Sequence, residues 1–451
     1  MTLIFALWIH QDDAMGFEEK LLGKIPNDVE ILQEEDRSGP VFFSRNGRKA
    51  AVRVAKGRRE QIILVASSKQ GPVLDGVGWP SFSLDGRVVA YWGREGGKSF
   101  VVVGTDPGAK FDQVLPPDLS PKGVVAYAAC DDGKEFVVVD GRKGDPYFRV
   151  WAPHFSPREE VWYVANRGGK GPRTEHPTGG EWFLIVGERT YGPFESVSLP
   201  SFSKDGSVMA YYAKKNGKYF MMVGDQKGEE FDDIGLPQVS GDGRTIAYEA
   251  KIGRRMFAVI NGRRGPTFDS VGQPAVSEKG SVVAYNAMEG GQEFVVFEGK
   301  RGEAFDDLWR PVVTPDGKGA AYGAKRGPKW CVVVGATKGE WFDHVFWPVV
   351  FSPDGTRFAY AAGEGRRSFV VLDGKKGPAF DRIDGLVFSP DGKRLAYRAD
   401  EGGKSWFIVV NDKTLGPFDY ADSPTFSADG TRLAFGARIG REIWWKVVQI
   451  R

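Results

Sequence analysis

One position recurs through almost the whole chain. The serine or threonine of each FSPDG-like site falls at Ser44, Ser83, Ser120, Ser156, Ser203, Ser240, Ser277, Thr314, Ser352, Ser389 and Ser427. Successive spacings are 39, 37, 36, 47, 37, 37, 37, 38, 37 and 38 residues. A register this regular means stacked units, each burying its apolar face on the next. Within the unit from Gly385 to Ala421, "LVFS" reads as a short strand and "PDG" as a tight turn. Proline presets φ there, aspartate caps the turn and glycine accepts a positive φ. "KRLAYRA" alternates as a second strand, "SWFIVVN" reads as a buried third, "NDKTLG" as a turn and "PFDYA" as a short fourth. No segment keeps a helical period, and 60 glycines in 451 residues disfavour helical repeats of similar length. The expected fold is all-β: a β-propeller of four-stranded antiparallel blades.

The matches "FSPDGTRFAYAA", "FSPDGKRLAYRA" and "FSADGTRLAFGA" resemble the TolB-like, or WD40-like, β-propeller repeat from about Pro40 to the C-terminus. The resemblance implies the fold and a strand lining the central axis. It leaves function open among binding platforms and accessory domains of peptidases. The TolB-type arrangement also has a signal peptide and an α/β domain, and neither is read here.

The last repeat, ending "EIWWKVVQIR", lacks a fourth strand, and Asn27 to Asp36 ("NDVEILQEED") offers a spare one. One missing and one spare strand predict a single ring of eleven blades, closed by an N-terminal strand that completes the last blade. The rival is two propellers of five and six blades. The one long interval, between Ser156 and Ser203, is assigned to a surface loop around Asn166 to Gly180 rather than to a domain boundary. Residues 1–26 are read as an N-terminal extension and 27–451 as the propeller.

The 61 basic and 59 acidic side chains nearly cancel, so neither nucleic acid nor an anionic membrane is expected as a partner. The apolar run Leu3 to Ile9 lacks a basic flank and a cleavage site, and it is too short to span a bilayer. A cytoplasmic monomer is the expectation. Cys130 and Cys331 read as buried hydrophobes.

Acidic residues follow an aromatic in the fourth strand at Asp112, Glu195, Asp232, Asp269, Asp306, Asp343, Asp381 and Asp419. They suggest a metal ring, but six of them are read instead as facing a cation across a hairpin, Lys98, Lys218, Arg255, Lys329, Arg367 and Lys404, while Glu195 faces Glu181 and Asp306 faces Gln292. The aspartates of the PDG-type turns are read as structural, and the cations of "GRKG", "GRRG", "GKRG" and "GKKG" as solvated. No Walker A, HExxH, EF-hand or GxSxG sequence is present. No metal or cofactor is expected.

One pattern varies between copies. Two residues before each repeat serine stand Ser81, Asp118, His154, Ser201 and Gln238 in blades two to six, and mostly apolar residues in blades seven to ten. These five polar residues are the candidate ligand-binding arc. A Ser81–Asp118–His154 triad is considered and disfavoured for want of an oxyanion hole. The functional expectation is a non-enzymatic binding or scaffold propeller with a protein or peptide on a face or in the channel. Trp341 and Trp347 are read as exposed aromatics in support. The alternative is a hydrolase or lyase acting on a glycan or small molecule at the arc.

Overall fold

The structure is a computed structural model and describes residues 18–32, 41–64, 69–172, 176–280, 282–411 and 413–450. Among these, the strands form eleven antiparallel sheets, one per repeat. In blade 3 the second, third and outer strands are Val125–Asp131, Lys134–Val139 and Arg142–Lys143. The inner strand comes in two pieces, Gln113–Val114 and Asp118–Leu119, both paired with Val125–Asp131. Blades 9 and 10 have unbroken inner strands, His344–Phe351 and Arg382–Phe388.

The repeat serine ends the inner strand and is buried in every blade. In blade 2 its hydroxyl donates to Asp85 Oδ1 at 2.7 Å and accepts from the Val88 amide at 3.0 Å. Asp85 Oδ1 also accepts from the Arg87 amide at 2.9 Å. The same serine or threonine to aspartate bond recurs at Asp205, Asp242, Asp316, Asp354, Asp391 and Asp429. Blade 1 builds it with the neutral amide of Asn46. The motif is a turn, as the sequence implied.

Adjacent blades meet through complementary faces. In the second strand the motif Ala-Tyr-x-Ala sends its first alanine to one side and its tyrosine to the other, because side chains alternate along a strand. Ala51 packs with Tyr91 between blades 1 and 2, Ala90 with Tyr127 between 2 and 3, and Ala247 with Tyr285 between 6 and 7. Separate apolar cores fill every junction from 1/2 to 9/10, and one further core joins blades 10, 11 and 1. No junction is left open, so the repeats form one ring.

Two polar devices reinforce these junctions. The phenylalanine before each acidic residue crosses to the next blade, as Phe111 does edge-on to Phe136 at 5.4 Å and Phe342 to Phe369 at 5.4 Å. The second cation of the outer turn lies over such a pair: Lys143 at 4.8 and 4.9 Å, and Lys376 at 4.9 and 5.0 Å. These cations are therefore partly structural, and only the first cation of each turn fits the solvated reading. The acidic residue itself makes the expected ion pair at Lys98–Asp112, Lys218–Asp232, Arg255–Asp269, Lys329–Asp343 and Arg367–Asp381, over 2.5–2.9 Å. Its second oxygen accepts a turn amide of the next blade, as in Gly253 to Asp232 and Gly327 to Asp306, both 2.7 Å. The carboxylate thus ties blades together as well as strands.

Several expectations need correction. Lys404 does not pair with Asp419. The hairpin joins Glu401 to Ser405, one residue longer than the Glu95–Lys98 turn of blade 2, so Lys404 falls in the turn. Asp419 Oδ2 instead lies 3.8 Å from Arg438. The outer strand of blade 10 is Lys413–Phe418, not the segment starting at Pro417: Val410 pairs directly with Lys413, so most of the supposed turn is strand. Tyr420–Ala421 already belongs to blade 11.

The closing strand shifts for the same reason. Lys20–Lys24 pairs with Glu442–Gln449, with Lys20 opposite Trp445 and Lys24 opposite Glu442. The predicted segment, Asn27 to Asp36, supplies Glu30–Ile31, the first piece of blade 1's own inner strand. Residues 33–36 of it lie outside the described residues, as do residues 1–17 of the extension. The propeller thus starts by Lys20, inside the segment set apart as 1–26. Leu22, Ile25 and Val29 are buried in one core with Trp445, Val41 and Val52. The long loop folds back over blade 4, with paired amides at Lys170 and Thr178 and the His176 ring against Trp151 and Trp182 at 5.3 and 5.4 Å. Residues 173–175 of it are outside the described residues. Cys130 and Cys331 are buried, as read.

Gly47, at φ +65°, packs on the Trp445 ring so closely that a Cβ would lie 2.0 Å from it, whereas Gly57, at φ +66°, has open space. Gly47→Ala is expected to cost about 1–3 kcal/mol more than Gly57→Ala in urea unfolding, since both share the backbone strain and only the first overpacks the seam. Equal costs would mean that the seam does not form.

The turn hydrogen bonds lower the pKa values of the motif aspartates. The Ser207 amide and the hydroxyls of Ser207 and Ser203 bring Asp205 to about 2, and the Ser427 hydroxyl and Thr431 amide bring Asp429 to about 2. A folded-state value below the unfolded one of about 3.9 gives stability that is present above pH 4 and lost toward pH 2. Unfolding midpoints should fall across that window. The Asp205→Asn/Asp429→Asn variant should fall less steeply, as the native Asn46 shows the turn forms without charge.

Candidate functional site

In most blades the two pieces of the inner strand flank a proline three residues before the repeat serine, as at Pro80, Pro117, Pro153, Pro200, Pro237, Pro274 and Pro311. Proline removes an amide donor and holds the preceding residue extended, so the pairing breaks there. The second pieces of neighbouring blades lie side by side, as Ser81–Phe82, Asp118–Leu119 and His154–Phe155 do, so these pieces and the breaks beside them are taken as the wall of the central channel.

All five sequence-predicted residues stand at the same register in the second piece: Ser81, Asp118, His154, Ser201 and Gln238 face Ala90, Ala126, Trp162, Ala210 and Ala247 of their own second strands. The structure does not join them into one arc. It joins Asp118 of blade 3 to His154 of blade 4, with Asp118 Oδ2 3.2 Å from His154 Nδ1. Each of these side chains is 40% exposed. The other oxygen, Oδ1, accepts from the Leu119 amide at 2.9 Å, and the imidazole lies 5.0 Å from the Trp162 ring. This fixes the histidine on its Nδ1 side.

Ser81 is exposed on blade 2 and lies outside this pair. The blade order is Ser81, Asp118, His154, so the carboxylate stands between hydroxyl and imidazole. Activation of a serine needs the imidazole in the middle, which removes the Ser81 triad. Ser201, half-buried on blade 5, follows His154 in the order such chemistry requires, with no hydrogen bond between them.

Gln238 belongs to a different group. Its Nε2 donates to Pro237 O at 3.1 Å, and its Oε1 accepts from Arg310 Nη2 of blade 8 at 2.9 Å. Arg310 precedes Pro311 at a break that was not read as functional. In blade 9, Phe346, 46% exposed, stands in an unbroken inner strand. The position before the proline carries Trp79 as well as Arg310, with Trp79 50% exposed and 6.0 Å from the Phe42 ring. The proline register is the sequence signal that locates them. Trp341 is half-buried against the core of blades 7 and 8, contrary to its reading as exposed, because its strand end folds onto that junction. The side chain of Trp347 lies outside the described residues.

The wall also carries charges paired within it. Arg398 meets the Asp384 carboxylate, with a second contact of 3.2 Å between Nη2 and Oδ2, and donates to Ala421 O at 3.2 Å. Among the described residues no group of three histidine, cysteine or carboxylate side chains is placed to hold a metal ion. None of their helices is long and apolar enough to cross a membrane.

No family model matches the chain, and no curated protein matches it. Among solved structures it is similar to one described as a eukaryotic initiation factor, at 11% identity and TM-score 0.41, covering 87% of this chain and 94% of that one. It is also similar to the Dos1 propeller, at 11% identity and TM-score 0.32, covering 64% and 90%. A third is the β-propeller domain of Myceliophteria thermophila Cps50 (Swd1), at 12% identity and TM-score 0.27, covering 56% and 97%. At these identities and scores none bears on function.

Proposed function

We propose that this protein is a binding or scaffold propeller whose partner is a protein or peptide engaged at the channel wall. The observation that carries this reading is the Asp118–His154 pair: two hydrogen-bonded, half-exposed side chains from neighbouring blades, further round the wall from the exposed Trp79 ring. An oriented polar pair and an accessible aromatic are the groups that anchor a partner. The eleven junctions need neither: the same register holds Ala275, Val312 and Val350 in blades 7, 8 and 9.

A second reading is a hydrolase at the same place, supported by the blade order Asp118, His154, Ser201 with Nδ1 on the carboxylate. A fluorophosphonate probe separates the two. Labelling that is lost in both Ser201→Ala and His154→Ala favours the hydrolase.

For the binding reading, Asp118→Ala/His154→Ala is expected to retain the wild-type melting temperature within a few degrees and to lose one or more partners in affinity capture. Trp79→Ala should weaken the same partners about tenfold or more, as central aromatic anchors do. A capture profile unchanged in both variants would overturn this reading.

A further inference from the structure

Arg310 is placed unlike the other wall arginines. Arg53 pairs with Glu60 at 3.1 Å, Arg149 with Glu135 at 3.0 Å and Arg398 with Asp384. Arg310 forms no ion pair among the described residues. Its Nη2 donates to Gln238 Oε1 at 2.9 Å and to Pro274 O at 2.7 Å, so the side chain runs from blade 8 across blade 7 to blade 6. Two acceptors from two other blades fix a long side chain in one direction before any ligand arrives. The Nε–H and both Nη1 hydrogens meet no acceptor among the described residues. The residue is exposed to solvent, although protein crowds it enough for burial to lower its pKa.

The surroundings favour one kind of anion. Glu249 of blade 6 is close enough to couple electrostatically to Arg310 but makes no ion pair with it. Its Oε2 is buried without a hydrogen-bond partner, and burial raises its pKa. The carboxyl occupies a space cleared by Gly235, where a Cβ would fall 1.9 Å from Glu249 Oε1. A fixed guanidinium with free donors, partly desolvated and unpaired, attracts an oxyanion. A neighbouring carboxyl disfavours an anion that concentrates two charges on one group, as phosphate does.

We propose that Arg310, held by Gln238 and the Pro274 carbonyl, is a receptor for a single carboxylate in the channel, supplied by an acidic side chain or chain terminus of a partner or by a free small carboxylate. This site is independent of the Asp118–His154 pair and stands even if that pair binds nothing.

The test uses the full chain and its Arg310→Gln, Arg310→Lys and Gln238→Ala variants. Melting is followed with glutarate, inorganic phosphate or chloride at matched ionic strength. Binding is followed by anisotropy with a labelled twelve-residue peptide bearing glutamates and its glutamine counterpart. Glutarate should raise the wild-type melting temperature above that in chloride, and Arg310→Gln should abolish the difference. The glutamate peptide should bind wild type about tenfold or more tightly than its counterpart, with the preference lost in Arg310→Gln and reduced in Gln238→Ala and Arg310→Lys. A glutarate effect with a peptide preference identifies a polypeptide carboxylate, and a glutarate effect alone a free small one. Phosphate matching or exceeding glutarate, an equal response in wild type and Arg310→Gln, or no response to any carboxylate would overturn the proposal. Loss of this response with an intact capture profile at Asp118 and His154 would reject the Arg310 site and leave the binding reading standing.

Discussion

Each sheet of this protein depends on its neighbours for a core. A four-stranded blade exposes two apolar faces, and only the next blade can cover each of them. The alternation of Ala-Tyr-x-Ala makes the two faces different, so Ala51 receives Tyr91 and Ala90 receives Tyr127. The fit is repeated rather than varied, and it can stop only where the last face finds the first. Blade 11 finds blade 1 through the core shared by Trp445, Val41 and Leu22. Eleven blades exceed the usual four to eight. What permits the number is that most junctions carry the same small-to-large complementarity, the exceptions being Trp162 against Tyr211 between blades 4 and 5 and Ala434 with Val52 at the closing seam, and that the crossing phenylalanine and the carboxylate reaching the next turn reinforce them. These polar contacts set the spacing between blades, while the buried aromatics and alanines provide the cohesion.

The sequence made the ring legible because its register is set by a chemically demanding turn. A buried hydroxyl, a carboxylate or carboxamide two residues on, and a glycine with positive φ leave little freedom in spacing. The outer strands were less legible. Lys413–Phe418 has a glycine and a proline that read as turn, yet its pairing with Ser405–Val410 is set by the tight reversal before it. The misplaced closing strand repeats that error, since one choice of outer strand fixes all the others. Lys404 failed as a partner because one extra turn residue moves a side chain out of the ladder. The second oxygen of each acidic residue was invisible, since its partner is an amide of another blade and amides leave no trace in side-chain chemistry.

The channel wall was half legible. Reading two positions before each serine located the true register of Asp118 and His154. It also grouped Gln238 with them, although that side chain serves Arg310 from two blades away. Side chains at the proline breaks reach along the wall rather than straight out of a strand, so a single register position cannot describe them. The wall therefore divides into a hydrogen-bonded acid and imidazole on blades 3 and 4, a fixed guanidinium across blades 6 to 8, and an internally neutralised stretch around Arg398. Chemical variety is confined to the inner strands, while the junctions stay alike. That separation lets one scaffold keep its shape as its channel changes.

Everything here rests on both ends of the chain sharing one blade. Lys24 and Glu442 are directly opposed in that sheet, with a 2.8 Å ion pair between an exposed lysine and a half-buried glutamate. Under mild oxidant, the Lys24→Cys/Glu442→Cys variant should form a disulfide within one molecule, giving a monomer of unchanged mass by size exclusion and a higher unfolding midpoint than its reduced form. A linkage formed only between molecules, or none while the protein stays folded, would contradict the single closed ring.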